Sequence, residues 1–152
     1  MRNRIQIEID APPERVFYWL EDGERVMQWA KGVVENEDLE VTDAKVGSTF
    51  RQVYEENGRR MEFQGRCTAF EQDRRLAVQM TSRMFDLEVD YRLEDLGGRT
   101  RLTQESESRF HGVMRLVGTV MCWLMKGKAE DCIAEDFGRL KALAESMPDE
   151  AA

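Results

Sequence analysis

The segment from Phe85 to Leu93 alternates apolar and polar residues without interruption, and this pattern constrains the fold more than any other feature of the chain. Apolar side chains occupy every second position, and the positions between them are acidic or basic. Because successive side chains of a β-strand point to opposite faces of its sheet, the pattern predicts a strand with one buried and one solvated face. Shorter stretches with the same period, such as Ile5 to Ile9 and Leu76 to Met80, predict further strands of an antiparallel sheet.

Two prolines and a charged turn separate the first strand from the rest of the predicted sheet. Ala11-Pro12-Pro13-Glu14 ends this strand, and proline is tolerated in the first turn of a helix because the amide that it removes would lack a partner there. Asp22-Gly23 then divides the next apolar residues into two groups with helical spacing. The sequence therefore predicts two short helices between Pro13 and Ala30.

The middle of the chain predicts about six more strands, and its last part predicts one long helix. Asn57-Gly58 and Gly97-Gly98 are two-residue hairpin signals, because both central positions of such turns need positive φ. The acidic stretch from Val33 to Val41 is predicted to lie at a sheet edge, where charge discourages aggregation. Gly65 in mid-strand indicates a bend or bulge that curls the sheet around a cavity. Between Val113 and Ala144 apolar residues keep a helical period.

The size and charge of the chain narrow the classes of partner. Its 152 residues fit a single domain, predicted to span residues 1–147 and to be followed by a disordered tail at 148–152. Lys and Arg number 22 against 30 Asp and Glu, which gives a formal net charge of -8. This charge repels phosphate backbones and anionic headgroups, so we expect no nucleic-acid partner and no electrostatic binding to a membrane surface.

The amino-terminal residues and the apolar segments indicate where the protein resides. Met1 to Asp10 alternates like a strand, contains four charged residues and lacks the apolar core of a signal peptide, which predicts a cytoplasmic protein. The most apolar segment, Val113 to Met125, is shorter than the roughly 20 residues of a membrane-spanning helix. Membrane insertion is therefore not expected.

The sequence has few residues suited to metal or nucleotide chemistry. His111 is the single histidine, and Cys67, Cys122 and Cys132 do not form a Cys-x-x-Cys pair. A tetrahedral zinc site is therefore not expected, and we predict neither a metal nor a cofactor. The sequence also lacks a glycine-rich phosphate loop and a Gly-x-Ser-x-Gly elbow, so nucleotide binding and serine hydrolysis have no support.

The amino-terminal third carries a motif that resembles a known superfamily. The motif runs from Ile7 through Ala11-Pro12-Pro13-Glu14 to Phe17 and continues with Leu20-Glu21-Asp22, Trp29 and Val33. With the predicted element order it resembles the START-like (SRPBCC) superfamily, and most closely its polyketide cyclase/dehydrase and lipid-transport branch. The resemblance implies an α+β helix-grip fold, in which a curved seven-stranded antiparallel sheet wraps around a long carboxy-terminal helix and encloses a cavity. Members of the superfamily bind lipids, hormones, polyketides or other apolar compounds, and some catalyse cyclisation or dehydration or act as chaperone cofactors.

One face of the predicted sheet and of the helix supplies a candidate cavity lining. Its residues are aromatic, sulfur-containing, aliphatic or uncharged polar, which suits a mostly apolar ligand with a few polar atoms. Gln52, Gln104 and Ser106 occupy strand positions on the face that apolar residues otherwise fill. Burial of an amide or hydroxyl is costly unless it has a hydrogen-bond partner. The candidate ligand-binding residues are Phe50, Gln52, Tyr54, Met61, Phe63, Met80, Phe85, Leu87, Gln104, Ser106, Met121, Met125, Ile133 and Phe137.

Three functions are consistent with these features. The leading hypothesis is a carrier that binds a small hydrophobic ligand between sheet and helix. The first alternative is a polyketide cyclase or dehydratase that transfers protons through His111, Tyr54 or Tyr91. The second is a protein-interaction or chaperone-cofactor domain whose acidic sheet surface binds a basic partner. An ionisable residue buried at the cavity floor favours the enzyme, and an apolar floor favours the carrier, whereas a filled cavity favours the interaction domain.

Overall fold

Seven strands form one antiparallel sheet, with the order β1-β7-β6-β5-β4-β3-β2. The computed structural model describes residues 2–56, 58–112 and 131–146 of the chain. The strands are β1 (Arg2–Ile9), β2 (Val33–Glu40), β3 (Thr49–Glu56), β4 (Arg59–Glu71), β5 (Arg75–Thr81), β6 (Phe85–Asp95) and β7 (Thr100–Phe110). Helices α1 (Pro13–Leu20) and α2 (Gly23–Trp29) connect β1 to β2, and a third helix, α3, spans residues 131–146. This arrangement confirms the predicted helix-grip fold.

The two edges of the sheet are β1 and β2, so the predicted edge position of the acidic segment is confirmed. The sequence pattern predicts the next strand from Gly47 to Tyr54, but β3 begins two residues later. Lys45 and Gly47 both have positive φ, at 67° and 87°, which keeps this segment in a turn until β3 begins at Thr49.

The local signals for turns and helix starts are confirmed where the structure describes them. Gly97 and Gly98 have φ of 88° and 90°, and both amides donate to the side chain of Asp95 at 2.9 and 3.2 Å. Pro13 occupies the first turn of α1, and the Asp22 side chain caps α2 by accepting from the amide of Glu24 at 2.8 Å. Asn57 of the other hairpin signal lies outside the described residues.

Trp29 is the centre of the packing between sheet and helices. It is 3% exposed, and its ring lies 6.1 Å from the Phe137 ring of α3. Its indole Nε1 donates to the carbonyl oxygen of Trp19 at 2.9 Å, and its own carbonyl oxygen accepts from Nε of Arg139 at 2.9 Å. Ile9 of β1 and Leu102 of β7 complete the same buried cluster.

The long helix predicted from Val113 is described only in part. Residues 113–130 and 147–152 lie outside the described residues, and these ranges include the whole Val113–Met125 segment and the whole predicted tail at 148–152. No helix in the described part of the chain has the length and apolar character needed to span a membrane.

We expect Trp29→Ala to destabilise the protein strongly. The substitution removes a buried ring and its hydrogen bond to Trp19, and it should lower the free energy of unfolding by about 3 to 5 kcal/mol. Urea unfolding measures this change. The neighbouring exposed residue provides a matched control, because Gln28→Ala should leave the midpoint nearly unchanged. Similar midpoints for the two variants would show that Trp29 is not a core residue.

Candidate functional site

One face of the sheet, here called the concave face, packs against α3. Ile9 points to this face and belongs to the buried cluster that contains Phe137 and Leu140 of α3, and Ile7 packs against the same cluster. Residues directly opposite each other on neighbouring strands share a face, so the strand register extends the assignment across the whole sheet. Ten predicted lining residues lie on the concave face: Phe50, Gln52, Tyr54, Met61, Phe63, Met80, Phe85, Leu87, Gln104 and Ser106.

The predicted lining residues of the helix divide into two groups. Phe137 is 1% exposed and Ile133 packs against the same buried cluster, so both contribute to the core between α3 and the sheet. Met121 and Met125 lie outside the described residues. The helix therefore adds no described residue to the lining beyond these core contacts.

An aromatic group occupies the part of the concave face that lies away from this core. The ring of Phe63 meets the ring of Phe85 edge-on at 5.6 Å, and Phe85 lies 5.2 Å from Phe110. Phe110, at the end of β7, was not among the predicted lining residues. It follows Ser106 and Ser108 at every second position, so the strand period of two predicts that it lies on the same face. The three rings form a continuous apolar surface.

Gly65 has a different role from the predicted one. It pairs regularly with Phe50 and Met80, and the register shift of β4 lies further along, between Cys67 and Ala69. A side chain at Gly65 would collide with the ring of Phe50, which lies directly over it. The glycine therefore makes room for an aromatic ring on the concave face, and the bulge occurs where Cys67 and Ala69 pair with β5.

Three polar side chains on this face have free hydrogen-bonding capacity. Gln52, Gln104 and Ser106 are half-buried, and their side chains make no hydrogen bond to any described residue. An amide offers two donor hydrogens and an acceptor oxygen, so each glutamine can bind water or a ligand. Gln104 pairs with Ile5 and Tyr91, and Asn3 pairs with Ser106, which creates a polar patch of Asn3, Tyr91, Gln104 and Ser106.

The two glutamines belong to different parts of the face. Gln52 is on β3 and Gln104 is on β7, and the sheet order places β4, β5 and β6 between them. Four strand spacings amount to about 19 Å along a flat sheet. The two amides are therefore too far apart along the sheet to bind the same atom.

Tyr91 and Asp136 form the ionisable part of the site. Tyr91 lies on the concave face opposite Gln104, and Asp136 is on α3. Burial, together with the negative charge of Asp136, holds the pKa of the Tyr91 phenol well above its usual value. Burial also raises the pKa of Asp136, although its carboxylate accepts from the amide of Lys31 at 3.4 Å and pairs with Arg139.

The other two candidate catalytic residues lie elsewhere. His111 follows β7, its Nε2 lies 2.9 Å from Oδ1 of Asp86, and the side chain is 46% exposed. Along β7 the end at Phe110 is about 20 Å from Gln104, at about 3.4 Å for each residue. Tyr54 on β3 covers Gly32 with its ring. The structure thus does not bring His111, Tyr54 and Tyr91 together.

A depression of about 590 Å³ lies on the opposite, outer face of the sheet. Charged side chains of both signs surround it, and they pair across neighbouring strands. Arg4 lies 3.6 Å from Glu105, and Arg75 lies 2.9 Å from Asp90. Arg4 and Arg75 are therefore already paired with carboxylates and are not free to hold an anionic ligand in the outer depression.

Comparison with known families identifies one match. The family model described as "Polyketide cyclase / dehydrase and lipid transport" matches residues 3–145 of the chain. The comparison of this chain with curated protein sequences found no match.

Comparison with solved structures supports the same fold. A protein from Chromobacterium violaceum is 24% identical, with a TM-score of 0.70 over 98% of this chain and 99% of its own. The Zhui aromatase/cyclase from Streptomyces sp. R1128 is 15% identical, with a TM-score of 0.77 over 95% of this chain and 93% of its own. A START superfamily protein from Mycobacterium smegmatis is 18% identical, with a TM-score of 0.77 over 93% of this chain and 98% of its own.

The raised pKa of Tyr91 predicts a pH dependence of stability. Below the usual tyrosine pKa of 10.0 the phenol is neutral in both folded and unfolded chains, so the stabilisation is fully present. Above that pH the unfolded chain loses the proton first, and stability falls as pH rises toward the folded-state pKa. Urea unfolding of the wild type and Tyr91→Phe from about pH 8 to about pH 11 measures the effect. Identical slopes for the two proteins above pH 10 would show that Tyr91 ionises freely.

Proposed function

The chain belongs to the polyketide cyclase/dehydrase and lipid transport family, and on this premise we propose that it binds a small hydrophobic ligand between the concave face and the carboxy-terminal helix. The observation that carries the proposal is the composition of the concave face. Unpartnered, half-buried polar side chains lie there among aromatic and aliphatic residues. A mostly apolar surface with a few oriented polar groups is typical of small-molecule sites.

The arrangement of the face suggests how the ligand is oriented. The apolar part of the ligand would lie on Phe63, Phe85 and Leu87, which share one end of the face. Its polar group would lie at the polar patch, where Gln104 and Ser106 offer donors and acceptors. Gln52, four strands from Gln104, would contact a second polar atom if the ligand has one.

Tyr91 is a partly buried ionisable residue on the concave face, a feature that by itself favours the enzyme, but the direction of its pKa shift favours binding over proton transfer. A general acid or base works best when its pKa lies near the operating pH, and the pKa of Tyr91 is shifted away from neutrality. A neutral phenol of this kind is a weak acid and a good hydrogen-bond donor. We therefore assign Tyr91 to holding a ligand oxygen, and the cyclase or dehydratase role remains the alternative.

A ligand site on the concave face predicts saturable binding of an apolar, environment-sensitive dye. Leu87 and Glu88 are neighbours that point to opposite faces, so they give a matched pair of variants. Leu87→Gln should weaken dye binding about tenfold, because it places an amide in an apolar contact worth about 1.4 kcal/mol. Glu88→Gln should leave the affinity unchanged. Fluorescence titration measures both, and absence of saturable binding to the wild type would refute an open site.

Gln104→Leu tests whether the polar patch binds a ligand oxygen. The variant should fold normally or be slightly more stable, because leucine removes a half-buried amide without a described partner. Its affinity for a naphthalene dye that carries a ketone should fall by about 1 to 3 kcal/mol, whereas affinity for the parent dye without the ketone should stay constant.

Two comparisons make the Gln104→Leu result interpretable. Gln79→Leu on the outer face should change the affinity for neither dye. If Gln104→Leu binds both dyes normally but unfolds at lower urea concentration, Gln104 has a structural role. Native mass spectrometry of the protein from its own host would then identify any ligand that remains bound.

A further inference from the structure

We propose that the free edge of β2 binds an extended basic segment of a partner protein, which adds to the sheet as a further strand. From Val34 to Glu40 the backbone of β2 is hydrogen-bonded to β3 alone within the part of the chain that the structure describes. The outward-facing amides and carbonyls of an edge strand are a template for another strand. This interaction is separate from the ligand site and does not depend on it.

Two bulges give this edge a defined length. The register between β2 and β3 shifts between Val33 and Glu35 and again between Asp38 and Glu40, so Val34 and Leu39 are the extra residues. Between the shifts, Glu35 to Asp38 pair regularly with β3. A bulge interrupts the ladder and redirects its extra side chain. A regular four-residue segment, residues 35–38, is therefore bounded at each end by a bulge.

The bulges expose apolar side chains at both ends of this segment. Val34 is 39% exposed and Leu39 is 53% exposed, and Val41 and Val46 in the loop that follows β2 are exposed as well. These four account for all but one of the large exposed hydrophobic side chains among the described residues, the other being Met84. The concentration of apolar surface at one edge indicates a contact site.

The charge of the edge determines the kind of partner. Residues 34–46 contain five acidic residues and one lysine. Glu35 already pairs with Arg51 and Arg60 of the neighbouring strands. Glu37 lies opposite Arg51 and interacts with its charge, but Glu37, Asp38 and Glu40 make no direct ion pair with any described residue. Unpaired carboxylates that flank a strand edge attract lysine or arginine on an added strand.

The same charges disfavour a second copy of this edge as the occupant. Pairing β2 with β2 of another molecule would place Glu35, Glu37 and Asp38 opposite a second set of carboxylates. Like charges directly opposite each other destabilise a strand pair. The acidic edge is therefore suited to a basic strand and protected against its own copy, and the expected partner segment has basic residues between two apolar ones.

The probe is a dye-labelled peptide with blocked ends, in which two lysines alternate with two threonines between terminal valines. We expect saturable binding by fluorescence anisotropy, weaker at high salt, and no binding of the same peptide with glutamate in place of lysine. Glu37→Lys should weaken binding about tenfold, because the peptide lysines then meet a positive charge. Glu88→Lys on the outer face makes the same charge change away from the edge and should have little effect.

A second pair of variants tests the apolar contacts. Leu39→Ser should weaken peptide binding about fivefold, because it removes an exposed anchor at one end of the segment. Met84→Ser removes a similarly exposed apolar side chain elsewhere and should leave the affinity unchanged. All four variants alter exposed residues, so each should retain the wild-type unfolding midpoint.

Amide hydrogen exchange distinguishes strand addition from non-specific attraction. The peptide should slow the exchange of amides within residues 35–38 and leave those of the opposite edge strand, β1, unaffected. The proposal is refuted by a lack of saturable binding, by equal effects of Glu37→Lys and Glu88→Lys, or by unchanged exchange at residues 35–38. A dimer in analytical ultracentrifugation that dissociates on Leu39→Ser would show that a second copy occupies the edge instead.

Discussion

The packing of Trp29 connects the three described helices, and the rest of the structure depends on this connection. Its indole donates to Trp19 at the end of α1, its ring packs against Phe137 of α3, and its carbonyl accepts from Arg139. A large buried ring contributes several kcal/mol to stability, and here the same residue also holds α3 against α1 and α2. Helix α3 packs over the part of the concave face that contains Ile9 and Leu102.

The same packing positions the ionisable residues of the candidate site. Arg139 pairs with Asp136, and the carboxylate of Asp136 also accepts from the amide of Lys31. Asp136 therefore stays near Tyr91 and helps to keep its phenol neutral. A neutral donor beside unpartnered amides is suited to holding a ligand oxygen, whereas the aromatic end of the face is suited to apolar contact.

The two edge strands of the sheet, β1 and β2, differ in how their outer edges are covered. At the end of β1, Lys141 of α3 donates to the carbonyl of Glu8 at 3.3 Å, and Glu145 accepts from the amide of Asp10 at 2.9 Å. Helix α2 packs against β2, with Gly23 next to the Asn36 side chain, but no described helix residue hydrogen-bonds to the outer backbone edge of β2, which carries charge and bulges instead. Charge and bulges protect an edge against identical strands, and an oppositely charged strand is not excluded by them.

The amino-acid sequence by itself determined the strands, their faces and the turns. The alternation from Phe85 to Leu93, the positive φ of Gly97 and Gly98 and the Asp22 cap are set within a few neighbouring residues, so a local pattern predicts them. Ten predicted lining residues share the concave face for the same reason, because side-chain direction along a strand follows a period of two.

Only the tertiary structure decided which of these side chains meet. The distance between Gln52 and Gln104 depends on strand order, and the role of Gly65 depends on the ring that register places above it. The electrostatic interaction between Tyr91 and Asp136 involves one residue of β6 and one of α3, which are far apart in the chain. The exposure of Val34 and Leu39 depends on the register shifts between β2 and β3. These features arise from the register and packing of segments far apart in the chain, which no local pattern encodes.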